Sequence, residues 1–216
     1  MSDKSNKYGY VGADIPAQSF GNNKGVFNPA EINELVADNK WTSFGQLELI
    51  ETNDITGASE LLLDNLQTNT YRVHFLTYND VGVSVDAQAP YIRYYESGVE
   101  ESASVYQHAN IEGRASGSFF DVRSTAYSAV RLTGNGGNQT NEKENGYVYF
   151  YDLGDNSQFS FSTSHNSNYN RDPSATFNFG SQVLPQASTV DKIKFYVPSG
   201  TFTSGSVSFY GVREYA

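Results

Sequence analysis

With 216 residues, a formal charge of −10 and no cysteine, the chain has no route to disulfides or thiolate chemistry. Its acidity also argues against binding nucleic acid backbone or an anionic membrane, since both draw on clustered Lys and Arg. The 16 Tyr, 14 Phe and 19 Gly suit pleated, half-buried surfaces joined by turns, so the expected class is all-β, one antiparallel sandwich with a terminal arm.

Residues 1–28 are rich in Gly, Asn and Lys, and the rings of Tyr8, Tyr10, Phe20 and Phe27 follow no helical or strand period. Such composition suits a disordered tail. Val11, Ile15 and Val26 add more apolar surface than a solvating tail needs. The sharper expectation is therefore an extended arm whose partner-binding residues are these seven. The opening MSDKSNKYGYVGADIP lacks the apolar run of a signal peptide, and no stretch approaches about 18 apolar residues. A protein made in a cytoplasm and remaining soluble is expected, free to leave the cell in a particle released by lysis.

NPAEINELVADNK, residues 28–40, carries helix signals that agree with one another. Asn28 suits the N-cap and Pro29 the first helical position, while Glu31 falls three residues after the cap. Ile32, Leu35 and Val36 fall on one face, and Asn39 is a plausible stop. A short helix is predicted over 29–39, and a sandwich domain over 40–216.

From Phe44 onward strand signals recur, in FGQLELIET, YRVHFLTY, YIRYYE, SVYQH, YSAVRL, YVYFYDL, QFSFSTS, TFNFG, KIKFYV and SVSFYGVREY. Phe159, Phe161 and Thr163 alternate with Ser160, Ser162 and Ser164, and Val207 and Phe209 alternate with Ser206, Ser208 and Tyr210. Period two is the mark of a strand. ETNDITG, the Gly- and Asn-rich stretch 133–146 and SHNSNYNRDPS are read as turns or exposed loops. About eight to ten strands at this spacing suggest two packed antiparallel sheets.

No residue set announces catalysis. The three histidines, His74, His108 and His165, lie far apart, and a zinc or iron site wants at least two ligands at tight spacing. The densest carboxylates, Glu96, Glu100 and Glu101 in ESGVEES and Asp152 and Asp155 in DLGDN, read as solvated loop charge, and DLGDN lacks the order of an EF-hand. There is no G-x-S-x-G elbow and no phosphate-cradling loop. Neither a cofactor nor a metal is expected. What remains is surface: Tyr8, Tyr10 and the eight tyrosines from Tyr91 to Tyr151 are more than one core buries with every hydroxyl satisfied, and tyrosine is favoured at interfaces.

GYVGADIPAQSFGNNKGVFNPAEINEL with WTSFGQLELIET, then VHFLTYNDV, IRYYESGVEESASVYQHA, NGYVYFYDLGDNSQFSFSTSHN, GSQVLPQASTVDKIKFY and the closing GSVSFYGVREY, resembles virion structural proteins of tailed phages, particularly those of marine bacteria. The resemblance implies a jelly-roll sandwich without catalysis that works by assembly. It suggests a capsid cement or decoration protein on the virion surface, made in the host cytoplasm, bound to the major capsid protein and to itself as a homotrimer. Neither nucleic acid nor membrane is an expected partner. The alternative is a tail or appendage protein whose sandwich binds carbohydrate on the host surface, with YIRYYESG or SHNSNYNRD as an aromatic platform.

Overall fold

A computed structural model describes residues 29–37 and 46–214, which belong to two separate units divided at Gly45 and Gln46. The first unit holds α1 (Pro29–Ala37), with Pro29 opening the helix as read from sequence. Ile32 and Leu35 are half-buried but Val36 is exposed, so the apolar face is narrower than predicted. The expected arm residues Tyr8, Tyr10, Val11, Ile15, Phe20, Val26 and Phe27, the cap Asn28 and the stop Asn39 lie outside the described residues.

The second unit is all-β. In chain order it contains β1 (Leu47–Asp54), β2 (Glu60–Leu63), β3 (Val73–Val83), β4 (Tyr91–Glu96), β5 (Val99–Glu100), β6 (Tyr106–Arg114) and β7 (Phe119–Tyr127). There follow β8 (Val130–Arg131), β9 (Glu144–Tyr151), β10 (Phe159–Asn170), β11 (Ser174–Ala187), β12 (Val190–Tyr196) and β13 (Phe202–Val212). Eight strands form one sheet in the order β1-β13-β3-β9-β10-β11-β6-β7. The other five form a smaller sheet in the order β2-β12-β4-β5, with β8 also on β4. Every pairing is antiparallel. The expected two-sheet antiparallel sandwich is therefore present.

The apolar core lies between the small sheet and one half of the large one. Leu76, Tyr78, Val148, Phe150, Val207 and Phe209 point inward from β3, β9 and β13, and meet Leu63, Ile92, Tyr94, Ile193 and Phe195 of the small sheet. Ring contacts cross between the sheets, Tyr94 to Phe150 at 6.2 Å and Tyr78 to Phe195 at 5.5 Å between centroids. Strand β13 keeps the predicted alternation, with Val207 and Phe209 fully buried and Ser206, Ser208 and Tyr210 half-buried on the other face.

Three readings need correction. SHNSN is not a turn: β10 continues through it to Asn170, and the turn is confined to Arg171–Pro173. The connection after β8 is not a simple exposed loop. Only Asn138–Asn141 are exposed, while Thr133, Gly134, Gly136 and Gly137 are buried, and Gly136 bridges to both Gln88 and Asn170. Strands β2 and β7 were not anticipated, because ELLL does not alternate and FFDVRSTAY mixes polarity along a sheet edge.

Candidate binding face

The large sheet is wider than the small one, and its other half, β10, β11 and β6, inverts the usual polarity. Inward from β10 point Ser160, Ser162, Ser164, Asn166, Asn168 and Asn170, all buried, while Phe159, Phe161, His165 and Tyr169 point outward. Strand β11 repeats the pattern, with Thr176, Asn178 and Gln182 inside and Phe177 and Phe179 outside.

What covers this half explains the inversion. The connection from β8 to β9 crosses beneath it as irregular backbone, and backbone carbonyls and amides need polar partners when buried. Asn166 Nδ2 donates to Leu132 O, and Asn110 Nδ2 donates to Arg131 O at 3.1 Å. Gln182 Nε2 donates to Asn110 Oδ1 at 3.0 Å and to Ser164 Oγ at 2.8 Å, and Thr176 Oγ1 donates to Asn168 Oδ1. Backbone bonds tie the same connection to the β10–β11 turn, from Gly137 N to Tyr169 O and from Arg171 N to Asn135 O. Glycine at 136 is dictated by closeness: a Cβ there would meet the Glu144 carboxylate and the Gln88 carbonyl.

With the polar side chains spent inside, the alternating aromatic ones are left on the outer face. Phe161 is 50% exposed, Phe179 56% and Phe119 72%. A trough runs between Phe161 and Phe179 over the small residues Ala109, Gly180 and Ser181. One stretch of about 760 Å³ is walled by Tyr147, Tyr149, His165, Phe177 and Phe179, and a second of about 560 Å³ lies between Phe161 and Arg123. Exposed apolar patches of this extent mark interaction sites. Because Phe161 and Phe179 face away from the core, the double variant Phe161→Ser, Phe179→Ser should keep its unfolding free energy within about 1 kcal/mol of the parent, from about 0.5 kcal/mol per surface site; urea denaturation checks it.

The titratable groups singled out from sequence are engaged elsewhere. His74 is buried in the core, stacked on Phe209 at 5.3 Å, with Nε2 2.6 Å from Leu66 O, and burial lowers its pKa. His108 is buried beneath β6, its pKa also lowered by burial and then by Arg131. His165 stands on the outer face beside Tyr147. Glu100 is not solvated loop charge: Arg93 Nη1 lies at 2.7 Å and Lys194 Nζ at 2.5 Å. Burial works to raise its pKa, but the bonds from Lys194 and Arg93 outweigh it and hold the carboxyl low. Glu96 accepts from Ser188, Glu101 from Ala103 N, and Asp152 pairs with Arg72 at 2.8 Å. Asp155 closes its own turn onto Ser157. Among the described residues no three His, Asp or Glu side chains gather where an ion would sit.

The two aromatic platforms proposed from sequence fare differently. In YIRYYESG, Tyr94 is a core ring, and its neighbours are knitted into the small sheet. Arg93 and Lys194 both stand 5.0 Å from the centre of the Tyr196 ring, whose hydroxyl burial pushes up to about 12. In SHNSNYNRD the asparagines turn inward, so His165 and Tyr169 reach the outer face without them. The exposed phenylalanines of β10 and β11 were legible as strand residues, but nothing in the alternation told which set faced out. No family model, curated protein or solved structure matches the chain.

Proposed function

We propose that this chain is a non-catalytic structural protein of a tailed-phage particle, a capsid cement or decoration protein that binds and stabilises the shell built by the major capsid protein. The observation that carries the proposal is the aromatic outer face of β9, β10, β11, β6 and β7. At about 4.8 Å per strand and about 3.3 Å per residue, five strands of about nine residues span about 700 Å², or about 1,400 Å² counted on both partners, a standard interface. The apolar residues between Tyr8 and Phe27 would supply a contact of their own.

Strand order supports the jelly-roll part of the proposal. The set β1-β13-β3-β9 lies in one sheet and β2-β12-β4-β8 in the other, the arrangement of two interlocked Greek keys. Strands β6–β7 and β10–β11 are then insertions that widen one sheet and supply most of the aromatic face, while the short β5 adds to the other.

Quantitative mass spectrometry of the virions that encode this chain tests the proposal. A ratio to the major shell protein near one, or a simple fraction of it, is expected. The Phe161→Ser, Phe179→Ser variant should fail to decorate particles lacking the protein. A few copies per particle would point instead to a tail protein; the trough beside Tyr147, Tyr149 and His165 favours a sugar ligand in that case, and glycan-array binding would show it. Absence from the particle would overturn the virion assignment.

A further inference from the structure

We infer that two copies of this chain join edge to edge through β7, continuing the large sheet across a two-fold axis that passes by Val122. Strand β7 is a terminal strand, hydrogen-bonded only to β6. Proteins usually blunt such an edge with Lys, Pro, a bulge or brevity. This one is nine residues long, contains neither Lys nor Pro, and keeps an unbroken register against β6 from Phe119 to Ser124, its irregularity falling at the far end, between Ser124 and Tyr127. Phe119 and Phe120 are both exposed on it. The opposite edge, β1, is protected, with a register shift between Leu49 and Glu51 and the like charges Glu48, Glu51 and Asp54.

Backbone geometry and charge select one register. Arg114 N donates to Ser118 O at 2.9 Å, so the antiparallel alternation spends the backbone groups of even-numbered β7 residues on β6. The odd-numbered residues, Asp121 and Arg123 among them, turn theirs out from the edge. Two copies must therefore pair odd residue with odd residue. Centring on Asp121 would set carboxylate against carboxylate, and centring on Arg123 guanidinium against guanidinium. Centring on Val122 sets Asp121 of each copy opposite Arg123 of the other, twice, within the stretch of β7 whose register is regular. Both charged side chains are exposed, and among the described residues neither has an ion-pair or hydrogen-bond partner. Opposite-charge cross-strand pairs stabilise a ladder, and like charges in the same places oppose it.

The contact is isologous, so it closes at two copies, and the homotrimer that the phage resemblance implies does not arise from this edge. It also sets the two aromatic faces side by side, doubling the surface offered to a partner. The inference stands on the edge alone and does not depend on the virion assignment.

Sedimentation equilibrium of the full chain tests it. The parent should have twice the 23.8 kDa chain mass. Asp121→Arg alone and Arg123→Asp alone each create two like-charge contacts and should weaken the dimer about tenfold or more. An equal mixture of the two single variants should recover it as a heterodimer, and so should the Asp121→Arg, Arg123→Asp double variant. Unchanged circular dichroism, with thermal midpoints equal to the parent's at concentrations below its dimer dissociation constant, separates loss of pairing from loss of fold. A parent that stays monomeric at its highest soluble concentration, a trimer, or a dimer indifferent to the exchanges would overturn the inference.

Discussion

Replacing Phe150 with alanine is expected to cost about 3–5 kcal/mol of folding free energy, a large share of the about 5–15 kcal/mol that holds a domain together. Phe150 is fully buried on β9, with Tyr94 of the small sheet 6.2 Å away and Phe209 of β13 6.5 Å away. It is where both sheets and the C-terminal strand meet. Truncation leaves a cavity that antiparallel ladders on either side of β9 prevent from collapsing. Urea denaturation followed by tyrosine fluorescence measures the loss. Phe161 is the internal control, since the same residue type on β10 faces solvent; equal losses at the two positions would mean that the assignment of inner and outer faces is wrong.

That contrast marks how far the fold can be read from sequence. The class and the C-terminal strand are legible because Val207 and Phe209 alternate with Ser206 and Ser208, and the apolar pair faces an apolar sheet. Strand β10 alternates as cleanly, yet its rings face solvent and its serines and asparagines face the interior. Periodicity identifies two faces; which of them is buried depends on what lies opposite. Here the cover is the backbone running from the end of β8 into the β8–β9 connection, and its carbonyls reward Asn110 and Asn166 where another sheet would reward Phe. The same long-range partnership hid Glu100, which reads as loop charge until Arg93 and Lys194 are brought beside it.

Width is the structural step that links this packing to a function. The small sheet covers the β1-β13-β3-β9 half of its partner and reaches the ends of β6 and β11 at Tyr106 and Leu184, so the rest of β10, β11 and β6 needs another way to bury its inner face. A polar ladder against a crossing connection solves that problem, and it releases the aromatic alternation to the outside. A surface of rings on a stiff ladder binds without ordering much backbone, which keeps the entropic cost of a contact low.

Among the buried groups of the polar layer that lack a partner, the one that titrates strongly gives the second large expected effect. Glu144 at the start of β9 is 2% exposed, and neither carboxylate oxygen has a partner among the described residues. It packs against Gly136 and lies opposite Asn168 in the β9–β10 ladder, with the unpartnered Tyr78 hydroxyl nearby. Burial alone pushes its pKa well above the ordinary 4.5. The folded chain therefore keeps this proton to a higher pH than the unfolded chain does. Its contribution to stability is fully present below the unfolded pKa and is lost as pH rises through the folded one. Within that window the loss is about 1.4 kcal/mol per pH unit. Glu144→Gln keeps the shape and removes the titration, so its stability relative to the parent should climb with pH from about 4.5 upward. His74 and His108, buried with lowered pKa values, destabilise both proteins alike as pH falls, and the difference between the two cancels them. Urea denaturation of both chains across this pH range reads that difference. Parallel curves would mean that Glu144 is ionised in the folded state and satisfied by a partner, a bound water or an ion, and the neutral-carboxyl account would fall.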